Sequence, residues 1–64
     1  MTTIRKPHVF VLIVSNGEEY DDYSEDIAGV FATLRSAKKA VPNFGFPERI
    51  EEWKGSLCLT IFPI

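Results

Sequence analysis

Hydrophobic and polar positions divide the chain into short strand-like runs and one helical repeat. Residues 8–15 read as a strand: Val9, Phe10, Val11, Leu12, Ile13 and Val14 follow one another, and Ser15-Asn16-Gly17 ends the run. Both alternating sets are apolar, with Val9, Val11 and Ile13 on one face and Phe10, Leu12 and Val14 on the other. Such a strand is expected at the centre of a sheet with both faces covered. The polar stretch 17–26 follows as a loop or an acidic extension of the next strand. Residues 27–32 predict that second strand, where Gly29 marks a bulge or the close approach of another backbone.

The period then changes. Thr33 is a suitable N-cap for a helix over 34–41. Leu34, Ala37 and Val41 recur at helical spacing and face the sheet with Ala40 beside them, while Arg35, Lys38 and Lys39 face solvent. Lys38 and Lys39 also suit the negative pole of the helix dipole. Pro42 and Asn43 stop the helix, because proline disfavours helical backbone in the residue before it. Val41 to Pro47 form a loop whose Phe44 and Phe46 are expected to plug the edge of the core. Residues 49–54 predict a third strand in which Ile50 and Trp53 are the apolar positions. Lys54-Gly55-Ser56 suits a turn or bulge. Residues 57–62 form a last strand, with Leu57, Leu59 and Ile61 on one face and Cys58, Thr60 and Phe62 on the other. A single bent strand from 49 to 62, with Gly55 at the bend, is the alternative.

The element order is ββαββ, an α+β fold with a small antiparallel sheet and one helix packed on one face. One short helix covers only one side of a sheet, yet the first strand is apolar on both. Either Phe44, Phe46 and Trp53 cover the second face, or that face meets a partner. An uncovered patch of several hundred Å² is a liability for a monomer. Self-coverage is expected, since each such ring can bury ~150–250 Å².

A length of 64 residues allows one domain, spanning 1–64, that buries only ~60% of its unfolded surface. A deep catalytic cleft would consume most of that core, so no enzyme is expected. The longest apolar run, Val9 to Val14, is far short of the ~20 residues needed to cross a bilayer. Arg5 and Lys6 near the start precede neither a long apolar run nor a small-residue cleavage site, so no signal peptide is read. Cys58 stands alone and is expected as a small buried strand residue, consistent with a reduced, cytoplasmic setting. His8 is expected at a strand edge, bonded to backbone or water. Gly17, Gly29, Gly45 and Gly55 are scattered singly, so no phosphate loop is present, and no nucleophile–base arrangement can be identified. The run Asp21-Asp22-Tyr23-Ser24-Glu25-Asp26 does not match the calcium-loop pattern. No metal or cofactor is expected.

Charge changes the picture through its distribution. The net charge is −2. Within 17–26, however, stand Glu18, Glu19, Asp21, Asp22, Glu25 and Asp26, without a basic residue. The rest of the chain carries all 7 basic residues against Glu48, Glu51 and Glu52. The bland account of the acidic stretch is a solubilising loop. The sharper one is imitation of a phosphate strand. Residues 18–26 span at most roughly 30 Å when extended. Six charges on that length approach the spacing of a DNA strand, about one per 3.4 Å. Carboxylates also form the bidentate pairs with Arg that phosphates form. Tyr20 and Tyr23 interleave with the acids, and tyrosine is an enriched interface anchor. Arg35, Lys38 and Lys39, with Arg5 and Lys6, read as a solvated basic face. A sequence pI of about 5.2 disfavours direct nucleic-acid binding.

The pattern HVFVLIVSNGEEYDDYSEDIAGVF, then ATLRSAKKAV, then FPERIEEWKGSLCLTIF, resembles small phage-encoded anti-CRISPR proteins that inhibit type I-C effector complexes. Val30-Phe31-Ala32-Thr33, the Leu-Arg-Ser-Ala-Lys-Lys-Ala segment and Ile50-Glu51-Glu52-Trp53 are also similar to uncharacterised small phage and bacterial domains of order strand, strand, helix, strand. The resemblance implies a DNA mimic acting in the host bacterial cytoplasm as a monomer. Its implied partner is the large Cascade subunit, whose groove reads the protospacer-adjacent motif, and blocking that groove stops target recognition. It implies no contact with nucleic acid or membrane. The residues carried over are Glu18, Glu19, Tyr20, Asp21, Asp22, Tyr23, Glu25 and Asp26. The alternative is a small non-enzymatic phage or bacterial adaptor that binds a partner through its sheet face or aromatic loop.

Overall fold

The computed structural model describes residues 8–18 and 22–64. Four strands, β1 (His8–Ser15), β2 (Glu25–Phe31), β3 (Pro47–Lys54) and β4 (Leu57–Pro63), form one antiparallel sheet in the order β2-β1-β3-β4. The helix α1 (Leu34–Ala40) and a short 3₁₀ turn, Val41–Asn43, connect β2 to β3. Both of those strands flank β1, so the β2-α1-β3 crossover carries the helix across one face of the central strand. This is the α+β, ββαββ arrangement expected from the pattern.

The core lies where helix and sheet meet. Leu12, Ala37 and Ile50 are fully or almost fully buried. Phe10, Val14, Ala28, Phe31, Leu34, Ala40, Val41 and Phe62 pack around them. Leu12 pairs with Gly29 on one side and Ile50 on the other, and Ile50 pairs with Phe62, which sets one apolar row across all four strands. Thr33 has extended backbone, and its hydroxyl accepts from the Ser36 amide at 3.1 Å, capping the helix. The helix proper stops at Ala40, one residue earlier than expected, and Val41 and Pro42 continue as the 3₁₀ turn. Proline is tolerated in such a first turn because it needs no amide partner there.

β2 starts at Glu25, so two acidic residues extend it, and β3 starts at Pro47. Gly55 and Ser56 form a two-residue hairpin between β3 and β4, which excludes the single bent strand. Gly55 has φ +62 and Ser56 has no positive φ, the pattern of a type II′ turn with glycine first. A bulge in β2 leaves Ala28 between the Leu12–Gly29 and Ile13–Ile27 pairs. The neighbour crowding Gly29 is the Phe31 ring, 3.0 Å from where a β-carbon would lie, rather than another backbone.

Four expectations need correction. A second bulge, in β4 at Leu59, sets Cys58 opposite Trp53 while Thr60 and Phe62 stay opposite Glu52 and Ile50. Directly paired residues share a face, so Cys58 parts company with Thr60 and Phe62. Cys58 is also only half-buried. Phe44 and Phe46 do not plug the core: both remain exposed, Phe46 to 57%. The face opposite the helix is consequently covered only in part. Trp53 lies half-buried on it, paired with Val9, but Ile27, Val30 and Ile61 are exposed to 65%, 58% and 56%.

Candidate partner-binding site

Asn16 organises the acidic loop from its base. Its amide donates to the Ser24 carbonyl at 3.1 Å, and its side-chain oxygen accepts from the amides of Glu18 and Ser24 at 3.0 and 3.3 Å. Its side-chain nitrogen donates to the Asp22 carbonyl. One side chain therefore fastens both limbs of the loop, a use that suits asparagine's habit of mimicking a backbone turn. The sequence signalled Asn16 only as a strand terminator. Gly17 turns the chain beside it with φ +82, and a β-carbon there would stand 2.7 Å from the Phe46 ring. The Ser15 amide donates to the Phe46 carbonyl at 2.8 Å, tying the 41–47 loop to the same end of the molecule.

Of the expected site residues, Glu18, Asp22, Tyr23, Glu25 and Asp26 are exposed along this end. Glu19, Tyr20 and Asp21 lie outside the described residues. The structure adds two neighbours that the sequence did not suggest. Glu18, Tyr23, Phe46 and Glu48, with Ser15, Gly17 and Pro47, line one open cleft of about 520 Å³. Phe46 and Glu48 come from a part of the chain that sequence spacing keeps far from the acids, so only the β1–β3 pairing reveals them.

Glu25 is already engaged within the fold. Both Arg49 terminal nitrogens donate to its carboxylate, at 2.7 and 3.0 Å, and the Tyr23 hydroxyl donates to it at 2.6 Å. The Arg49 Nε donates to Glu51 at 2.7 Å, and the Trp53 indole N–H donates to Glu51 at 3.0 Å. The five side chains form one continuous network on the sheet face opposite the helix. The Arg49 fork, followed by the Tyr23 bond, holds the Glu25 carboxyl down at about 2. The same bond to Glu25, with the nearby Glu48 charge contributing, pushes the Tyr23 hydroxyl up to about 12. Glu51 is lowered, chiefly by Arg49. Asp26 is opposite Val14 in register, whereas Glu25 is opposite Ser15, so the two consecutive acids point to opposite faces.

No protein-family model, curated protein or solved structure matches this chain. The site must be read from its chemistry. Its cleft is shallow, acidic and rimmed by two exposed rings, which suits recognition of cationic side chains through carboxylates and ring faces. Among the described residues no group of three or more His, Cys, Asp or Glu could hold a metal, and no helix is long and apolar enough to cross a membrane. The His8 imidazole meets the Glu52 carboxylate at 2.7 Å, a side-chain partner where the sequence suggested backbone or water. Arg35, Lys38 and Lys39 are exposed on α1 and, with Leu34, line a second open cleft that shares no residue with the acidic one.

Proposed function

We propose that this protein is a non-enzymatic inhibitor that binds a basic DNA-reading protein through its acidic end. The observation that carries the proposal is the shared cleft of Glu18 and Glu48 with exposed Tyr23 and Phe46, next to the acidic loop. The carboxylates stand in for phosphates, and the rings supply contact area at low entropic cost. Crowded like charges gain most from a basic partner, so such a surface favours association over stability. The sequence resemblance directs the proposal to the large subunit of a type I-C Cascade in the bacterial cytoplasm. There, occupation of the motif-reading groove would prevent the first unwinding of target DNA.

A second reading is supported by the exposed Ile27, Val30 and Ile61: an adaptor that docks a partner on its open sheet face. One competition experiment separates the two. Purified type I-C Cascade is immobilised, and the protein is applied with and without duplex DNA bearing the motif. Mimicry requires mutual exclusion with DNA and loss of binding when Glu18, Asp22, Asp26 and Glu48 are changed to Gln or Asn. Binding that tolerates those changes but fails in Ile27→Thr/Val30→Thr supports the adaptor.

A further inference from the structure

We propose that Arg49 is a positioning residue, which through Glu25 holds Tyr23 and the start of β2 in the arrangement the acidic end presents. Glu25 accordingly serves recognition without touching the partner. This rests on the function proposed above and deepens it, because it divides the acidic segment into contact acids and one internal strut.

The geometry is specific. Arg49 stands on β3 and Glu25 on β2, with β1 between them. Two strand spacings amount to ~10 Å, a span an arginine side chain can bridge with help from its partner. Both Glu25 oxygens accept from the guanidinium, and one also accepts from Tyr23. A carboxylate offers about four acceptor sites, so little capacity is left for an incoming cation. Its charge is balanced at the same time. A partner arginine would have to displace a two-point pair to reach it. Asp22 and Asp26 have no ion pair with a described residue and point elsewhere. The Arg49 Nε bond to Glu51 holds the guanidinium from its other side, so two carboxylates together fix the fork in place.

A double-mutant cycle tests this. Glu25→Gln and Arg49→Gln each break the ion pair, and the double variant carries both changes. In the Cascade-binding measurement each single change should cost about tenfold or more, as expected when one member of a bonded charge pair is removed. The double variant should be no weaker than the weaker single variant by more than about threefold, because both changes remove the same strut. Losses that multiply in the double variant overturn the proposal, since Glu25 would then contact the partner independently of Arg49. The partner-free protein gives a second readout, taken on Glu25→Gln after circular dichroism has shown that variant to be folded. Ultraviolet titration of Glu25→Gln should bring one tyrosine from about 12 back towards its ordinary 10.0. An unchanged tyrosine titration would also overturn the strut. Absence of wild-type binding to Cascade would sink the functional proposal instead, and the titration would still decide whether Arg49, Glu25 and Tyr23 act as a unit.

Discussion

The two faces of the sheet are built by different means, although β1 supplies an apolar row to each. On the helix side, Leu12 is 0% exposed because α1 lies over it and Ile50 and Phe62 complete the row. On the other side no element among the described residues lies above the strands. Ile13 is nevertheless only 7% exposed. It pairs with Arg49, whose long side chain crosses β1 to reach Glu25, so an aliphatic stem covers apolar surface while its charged head finds carboxylates. On the outer strand β2, Ile27 and Val30 stay exposed. One face therefore depends on shape and volume, and the other on a charged network that responds to pH. A small chain with a seven-residue helix can close only one layer by packing, and its second layer is free for polar interactions and recognition.

Truncation in the two rows should show the largest contrast. Leu12→Ala should lose about 2–5 kcal/mol, the usual cost of a cavity in a packed core. A domain of this size has on the order of 3–10 kcal/mol in total, so the variant should be largely unfolded well below the wild-type melting temperature. Val30→Ala on the open face should stay within about 0.5 kcal/mol. Thermal melts followed by circular dichroism would measure both. Similar losses at the two positions would mean that the open face is covered in solution.

The helix cap comes next. Thr33→Ala removes the acceptor for the Ser36 amide and should cost about 1 kcal/mol, measurable in the same melts. Thr33→Asp, which preserves an acceptor, should recover most of the loss. No recovery would mean that tertiary packing alone sets the start of α1.

Much of this fold was legible because its local signals agree. The apolar run of β1 ends at Ser15 as its turn residues require, and Thr33 and Pro42 bracket the helix to within one residue. Gly29 signalled the bulge in β2, which falls on the adjacent Ala28, whereas the one at Leu59 was not legible, since no glycine marks it and it exists only relative to the partner strand. The acidic stretch stood out from charge alone. Its internal division did not, because the Glu25–Arg49 pair joins residues 24 apart and forms only when β2 and β3 flank β1. Phe44 and Phe46 misled for a related reason: aromatic residues in a loop favour burial on average, but here the helix and Phe62 had already filled the core.

Acid should test the open face selectively. The Glu25 pKa is about 2 in the fold against an ordinary 4.5, so the folded state favours its charged form. The stability this confers is complete above pH 4.5 and declines as pH falls towards 2. Glu51 is lowered as well and contributes in the same direction. Tyr23 runs the opposite way: raised to about 12, it stabilises fully below pH 10 and loses that contribution between 10 and 12. Urea melts of wild type and Glu25→Gln between about pH 2 and 7 should converge as the pH drops. Parallel curves would remove the network from any role in stability.

The smallest expected effect concerns the remaining acids, and it is informative because it should be near zero or favourable. Asp22→Asn/Asp26→Asn removes two charges that have no ion pair among the described residues. Exposed like charges repel, and isolated surface charges contribute little, so the variant should melt at the wild-type temperature or slightly above. Glu25→Gln, between Ser24 and Asp26 in the same acidic run, should instead melt lower because it weakens the Arg49 fork. Binding should order the variants differently. Loss of Asp22 and Asp26 removes charge-assisted contacts to a basic groove, so affinity should fall without loss of fold. Wild-type affinity should itself weaken with salt, since exposed charges are screened over ~10 Å at 0.1 M. Under the proposed function both kinds of variant weaken binding but only one weakens the fold: Glu25 acts through the sheet, and Asp22 and Asp26 act by contact. A double Asn variant that melts far below wild type would erase that distinction, because those carboxylates would have to cap or pair within the fold.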